Sequence, residues 1–426
     1  MRLWEYTGLV VGAALIAACG GDTSNEAAET AVDRANAEIR TITIDAGADF
    51  AAELQTALIT ASTGDTIAMP AGTFHLSDGL SLDVDGVTLT GAGQERTILS
   101  FANQTGAGEG LLVTSDDVTL TGFTMQDTAG DGIKSKGADR IIYRDLTVEW
   151  TGGPDEDNGA YGVYPVESTD VLVEGVTVRG ASDAGIYVGQ SSNIIVRNSL
   201  AEYNVAGIEI ENSTFADVYA NRAENNAGGI LVFDLPDLPV IGGHSTRIFD
   251  NTIINNNTRN FAPPGNIVAS VPSGTGVIIL ANRNVHVFDN QFDDNRTAHV
   301  LLTAYQDPFT DERYNPLPRD IRLTGNAYAN GGYDPQGVLG DLAGLLGGSL
   351  PPIVWDGVNR WGESEAVDVN LSIEEGETVA TPLFLNLGFG AYPLDPANLA
   401  PSFDMPDGTA APDAPTPVSL SHAGAG

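Results

Sequence analysis

The chain of 426 residues carries 57 Asp plus Glu against 19 Lys plus Arg, a formal net charge of −38. That acid excess argues against nucleic acid or an anionic membrane surface as partner, and a single Cys excludes a disulfide framework or a Cys-rich metal site. Hydrophobic residues make up 42 %, enough to build a core, so wholesale disorder is excluded as well.

Residues 1–18 read as a leader. The apolar run Leu9–Ala18 follows Arg2 and is too short to span a bilayer, as in the hydrophobic region of a signal peptide. It ends in Ile16-Ala17-Ala18-Cys19, which resembles a bacterial lipobox. The resemblance implies export, lipidation of Cys19, membrane attachment through that lipid and, with Gly20 next, an outer-membrane destination. Residues 19–40 are small, polar and acidic and are expected to form a flexible tether.

The segment FAAELQTALITA predicts a helix with Phe50, Leu54, Leu58 and Ala61 on one face and Asp49 as N-cap. Beyond it, Gly followed by an aliphatic residue recurs at Gly132, Gly162, Gly185, Gly207, Gly229 and Gly276, and short β-rich runs lie between. One such unit cannot bury its own apolar face, so the repeat signals a solenoid. β-branched content and the absence of helical spacing exclude helical repeats. The expected fold is all-β, a right-handed parallel β-helix of about ten coils over residues 41–336, monomeric; the N-terminal segment resembles the start of pectate-lyase-like proteins, which implies that the helix plugs the first coil. Asn198, Asn204, Asn221, Asn226, Asn251 and Asn290 are expected at corners, where Asn tolerates left-handed backbone and can hydrogen-bond between coils. Residues 337–401 are expected to cap the last coil, and residues 402–426, rich in Pro, Ala and Ser, to form a disordered tail.

The segments KSKGADRIIYRDLTVEWTGGP, NGAYGVYPVEST, SDAGIYVGQSSNIIVRN, NVAGIEIENS, GGILVFDLPDLP and NFAPPGNIVASVPSGTG together resemble a bacterial family of parallel β-helix repeat lipoproteins within the pectate-lyase-like superfamily. The resemblance covers about residues 41–360. It implies the fold and carries no assigned reaction.

Aligning the Gly-aliphatic strands predicts two inward columns: Ile133, Val163, Ile186, Ile208, Ile230, and Ser135, Pro165, Val188, Ile210, Val232. The outward columns are then Lys134, Tyr164, Tyr187, Glu209, Leu231, and Lys136, Val166, Gly189, Glu211, Phe233. Lys134 and Lys136 are the only lysines in the chain. Insertions at 149–161, 234–246 and 257–275 border this face, as loops do at the binding face of a solenoid. A strip of cations, aromatics and anions suits an extended, acidic polysaccharide.

Lyase or C5-epimerase chemistry on a polyuronide needs a cation, a base and an acid. Lys134, Lys136, Tyr164 and Tyr187 are the catalytic candidates, with a Tyr activated by a neighbouring Lys. Arg144, Trp150, Tyr161, Asp183, Glu209, Glu211, Leu231 and Phe233 are candidates for holding substrate. Asp155, Glu156 and Asp157 are hard oxygen ligands suited to Ca²⁺, the one cofactor considered. Glu209 and Glu211, about 6.6–6.8 Å apart along one strand, also fit the roughly 6.5–9.5 Å of inverting glycosidases. The Asp-Pro-His-Asp motif of mannuronan epimerases and the polygalacturonase motif set are absent, and the five His stand at no metal-ligand spacing. The alternative is a non-enzymatic surface or periplasmic scaffold, or a maturation factor, that binds a protein partner.

Overall fold

The computed structural model describes residues 40–106, 108–362, 364–376, 382–406 and 410–420. The leader and Cys19 readings, and all of the tether but Arg40, lie outside the described residues. The chain winds as a right-handed parallel β-helix in which successive coils add one strand to each of three parallel sheets. Among the described residues these sheets hold twelve, eleven and ten strands: a first running from Thr41–Thr43 to Leu371–Glu374, a second from Leu80–Leu82 to Phe384–Asn386, and a third from Gly72–His75 to Ala327–Tyr328.

Alternation sets the core. Ile133, Val163, Ile186, Ile208 and Ile230 pair in register along the second sheet, all fully buried. Ser135 breaks the apolar second column, and its hydroxyl accepts the Tyr143 hydroxyl proton at 2.7 Å, so the buried polar pair is satisfied. At two corners Asn side chains stack from coil to coil. Asn204, Asn226, Asn256 and Asn295 form one ladder, each Nδ2 donating to the next Oδ1 at 3.0–3.1 Å. Asn221, Asn251, Asn290 and Asn326 form the other. Asn198 joins neither and supplies a left-handed turn at φ 51°.

Helix α1 (Phe50–Thr60) covers the first coil with Phe50, Leu54, Ala57 and Leu58 buried. Phe50 stacks on Phe74 at 3.7 Å between ring centroids. Asp49 makes no side-chain capping bond, and Ala61 lies past the helix end.

Three expectations about the C-terminal part are corrected. The coils do not stop at residue 336: Ile353–Trp355, Leu371–Glu374 and Phe384–Asn386 continue the first two sheets, although the Gly-aliphatic signature has faded. The apolar alternation that pairing needs survives without it, with Ile353 in register with Val300. Helix α2 (Gly337–Leu346) lies between coils and buries Leu339 and Ala343 against the outside of the second sheet. Residues 410–420, expected to be disordered, run along the outside of the first sheet. The Val418 N–H donates to Asp217 at 3.0 Å, and Val418 and Leu420 pack on Ile142, Leu172 and Ile195. Those three side chains form an apolar column on the outer face, which gives the tail something to bury.

Candidate functional site

The second sheet keeps the expected outward register: Lys134 pairs with Tyr164, Tyr187 with Glu209, Glu209 with Leu231, and Glu211 with Phe233. The face is not an open strip. The 257–275 insertion folds back over it, and Ile267, Val268 and Val271 pack with Tyr187, Leu231 and Phe233 in a second apolar cluster outside the solenoid core. Tyr187 is only 4 % exposed, and Leu231 and Phe233 are buried. The last two are therefore packing residues beneath a loop, not surface contacts for a ligand.

Where the aromatic and acidic positions meet, three tyrosines and three carboxyl groups converge. The rings of Tyr161, Tyr164 and Tyr187 lie 4.4–4.9 Å apart between centroids. Tyr187 leans along its own strand and donates its hydroxyl to Glu211 Oε1 at 2.7 Å. Gly189 makes that path possible: a Cβ there would sit 2.2 Å from the Tyr187 hydroxyl oxygen. Asp183, at the corner before this strand, accepts from Asn266 Nδ2 of the covering loop at 3.3 Å. Glu209 stands on the neighbouring coil, 1 % exposed, and its Oε2 has no hydrogen-bond partner.

Burial and mutual repulsion dominate the electrostatics. Burial, then the Glu211 charge, pushes the Asp183 carboxyl up to about 7. Burial pushes Glu211 up to about 7 against the lowering effect of the Tyr187 hydrogen bond. Glu209 rises well above the usual carboxylate range, through burial and then the Asp183 and Glu211 charges. Asp234, next along the edge, rises to about 6 through burial, opposed by the Gly243 and Gly242 N–H groups. Two carboxyl groups that repel across a shared site cannot both ionise easily, so one holds its proton as the other loses it.

The other candidates are not gathered here as expected. Lys134 is held by Glu109 at 3.3 Å and Asp131 at 3.7 Å, and its Nζ lies over the Tyr164 ring at 4.6 Å instead of at the hydroxyl. Burial, then the Asp131 charge, pushes Tyr164 up to about 12, and burial, then the Glu211 charge, pushes Tyr187 well up, so neither is an activated base. Lys136 is exposed and pairs with Glu167 at 3.6 Å. Arg144 sits on the first sheet, paired with Glu174. Trp150 is buried in the solenoid core, its Nε1 donating to the Thr128 carbonyl. Asp155, Glu156 and Asp157 project from an exposed turn in which Asp155 accepts the Asp157 N–H. Among the described residues no group of three or more His, Cys, Asp or Glu is placed to hold a metal.

Asp131 and Asn266 border the site and were missed. Asp131 precedes the Gly-aliphatic pair of its strand much as Asp183 does, a signal readable in the sequence. Asn266 had none, since it arrives on the long insertion. A Gly189→Ala substitution should force the packed Tyr187 ring off Glu211 and cost about 1–3 kcal/mol, as overpacking does. Urea unfolding measures it, and unchanged stability would mean the ring has room to swing.

The family model that matches agrees with the fold. Residues 85–242 match the family model described as right handed beta helix region. The pre-neck appendage protein of Bacillus phage phi29 is 27 % identical over 288 residues, which is 57 % of this chain. The chain spans about a third of the length of the curated relatives it matches, 33 % in each case. Similar solved structures include the mannuronan C-5 epimerase A-module of Azotobacter vinelandii, with TM-score 0.48 and 16 % identity, covering 81 % of this chain and 99 % of that one. The Streptococcus pneumoniae surface protein and adhesin PfbA gives TM-score 0.49 and 13 % identity, covering 78 % and 94 %.

Proposed function

We propose that this chain engages an extended polysaccharide on the outside of the second sheet and cleaves it by acid–base hydrolysis at Asp183 and Glu211. One observation carries the reading: two mutually repelling carboxyl groups, both pushed up to about 7, share an aromatic-walled site. At neutral pH the pair holds one proton between them. The protonated member donates to the glycosidic oxygen as the C–O bond breaks, and the ionised member takes a proton from the attacking water. Both accept hydrogen bonds, Asp183 from Asn266 and Glu211 from Tyr187, so either can serve as base while the other holds the proton. Half-buried Tyr161 and Tyr164 offer ring faces for sugars. Glu209 lies behind, its carboxyl held up by burial.

A neutral polymer fits this site better than a polyuronide, because the carboxyl groups would repel uronates and both lysines are paired. Lyase or epimerase action is correspondingly less supported. Export, lipidation at Cys19 and an outer-membrane position belong to the same proposal and rest on the leader sequence.

The test is a panel of neutral polysaccharides and polyuronides, with and without Ca²⁺, followed for new reducing ends and for the ultraviolet absorbance of unsaturated uronates. The expected result is reducing ends without absorbance, a bell-shaped pH profile centred near neutrality, and loss of turnover by at least ~100-fold in Asp183→Asn and Glu211→Gln. Absorbance lost in Lys134→Ala would restore the lyase reading. Binding without cleavage would leave a polysaccharide-binding scaffold.

A further inference from the structure

Further along the same face, the covering loop, α2 and the 387–394 segment enclose a cavity of about 610 Å³. Its size falls within the roughly 300–1,000 Å³ of small-molecule sites. The floor is the continuation of the outward columns, from Phe233 through Ile278 and Leu280 to Leu301. The walls combine apolar Leu339, Leu342 and Phe389 with polar Thr303, Gln336 and Asp356, and the Asp356 carboxylate is already occupied by the Thr303 hydroxyl and the Ala304 and Val358 N–H groups.

Two features of the mouth narrow the chemistry. Helix α2, GVLGDLAGLL, carries one charge, and Val338 at the cavity wall is 74 % exposed, with Leu345 on the same helix at 79 %. An apolar helix left in water beside an apolar cavity marks an entrance for an apolar molecule. Arg259 also lines the cavity, is exposed, and makes no ion pair among the described residues, although the chain is rich in carboxylates. Asp307 lines it as well, exposed and unpaired with Arg259.

We propose that this cavity binds a single-chain anionic amphiphile, its hydrocarbon tail on the Phe233–Leu301 floor and its carboxylate or phosphate head on Arg259. The site is separate from the Asp183–Glu211 pair, and the inference does not depend on the reaction proposed there.

The experiment titrates the full chain with dansyl-labelled undecanoate, competes it with dodecanoate, dodecanol or dodecyltrimethylammonium, and in parallel measures co-sedimentation with phosphatidylglycerol vesicles. Saturable binding displaced best by dodecanoate is expected. Arg259→Gln should weaken it about tenfold, the scale of a charged hydrogen bond, and Asp307→Asn should tighten it severalfold. Leu301→Trp, which fills the floor, should abolish it. Arg259 and Asp307 are exposed, so their variants keep the test decisive where the Trp variant fails to fold. Capture of free dodecanoate makes the ligand a soluble carboxylate. Vesicle binding lost in Arg259→Gln, without capture of free dodecanoate, makes it a membrane lipid of the same chemistry. No saturable binding in either arm, equal competition by all three amphiphiles, or full affinity in a folded Leu301→Trp protein would overturn the proposal.

Discussion

Replacing Glu209 by glutamine should stabilise the protein at pH 8, by about 1.4 kcal/mol for each pH unit between the unfolded and folded titrations of that carboxyl, and should leave stability at pH 5 nearly unchanged. Glu209 is buried and has an unpartnered Oε2. At pH 5 it is protonated in the folded state, and glutamine is a close neutral replacement. At pH 8 the unfolded chain gains by ionising it, whereas the folded chain must either hold the proton or bury the charge. Asp183 and Glu211, pushed up to about 7, and Asp234, up to about 6, act in the same direction. A carboxyl group whose folded pKa is raised contributes stability that is complete below its unfolded value near 4 and is lost as pH rises through the folded value. The wild-type protein should therefore melt at a lower temperature at pH 8 than at pH 5.

His286 and His299 oppose this trend on the acid side. Burial lowers both to about 4, so their contribution is present above the unfolded value near 6.5 and is lost as pH falls through 4. Thermal melts of wild type and Glu209→Gln across pH 4–9 check the pattern. A Glu209→Gln protein less stable than wild type at pH 8 would show that Glu209 is charged and compensated. Little change in its turnover, beside the loss in Asp183→Asn and Glu211→Gln, would separate its part from that of the acid–base pair.

Asn226→Ala should cost about 3–5 kcal/mol, the largest single loss expected outside the apolar core. The Asn226 Oδ1 accepts from both the backbone N–H and the Nδ2 of Asn204, and its Nδ2 donates to the Ala201 carbonyl and to Asn256 Oδ1. Alanine strands groups on two adjacent coils at a position closed to water, and each unsatisfied buried group costs about 1–3 kcal/mol. Because a solenoid is held together by interfaces between neighbouring coils, the damage should concentrate around residues 201–256. Denaturant unfolding gives the energy, and amide hydrogen exchange gives the location. A loss below about 1 kcal/mol would mean that the coils relax to admit water.

Much of this architecture was legible because strand periodicity is local. Alternation along GIYVG or GIEIE assigns Ile186 and Ile208 to the core without knowledge of any partner, and the repeat then aligns neighbouring coils. Asn204, Asn221, Asn226, Asn251 and Asn290 were legible for the same reason, since each recurs at one corner of its unit. The outward column was also right in register, from Lys134 to Leu231. Its environment was not. Whether an outward side chain meets water depends on segments far away in sequence, and the 257–275 insertion shares no repeat with the strands it covers. The same limit explains the tail, whose composition speaks for disorder while the apolar column of Ile142, Leu172 and Ile195 offers it a seat.

The pKa directions of the site followed from that covering. Read as an open strip, the face made Lys134 a free cation and its neighbouring Tyr an activated base. Closed over, it makes the carboxyl groups the titrating centre near neutrality and leaves the tyrosines protonated. The amino-acid sequence by itself determined the solenoid, the inward columns, the corner ladders and the register, because each depends on side chains a few residues apart or one repeat apart. Only the tertiary structure decided which outward residues are buried, which charges are already paired, and that burial pushes the Asp183 and Glu211 carboxyls up, because desolvation and Coulomb repulsion depend on the distances between groups that only the folded chain brings together.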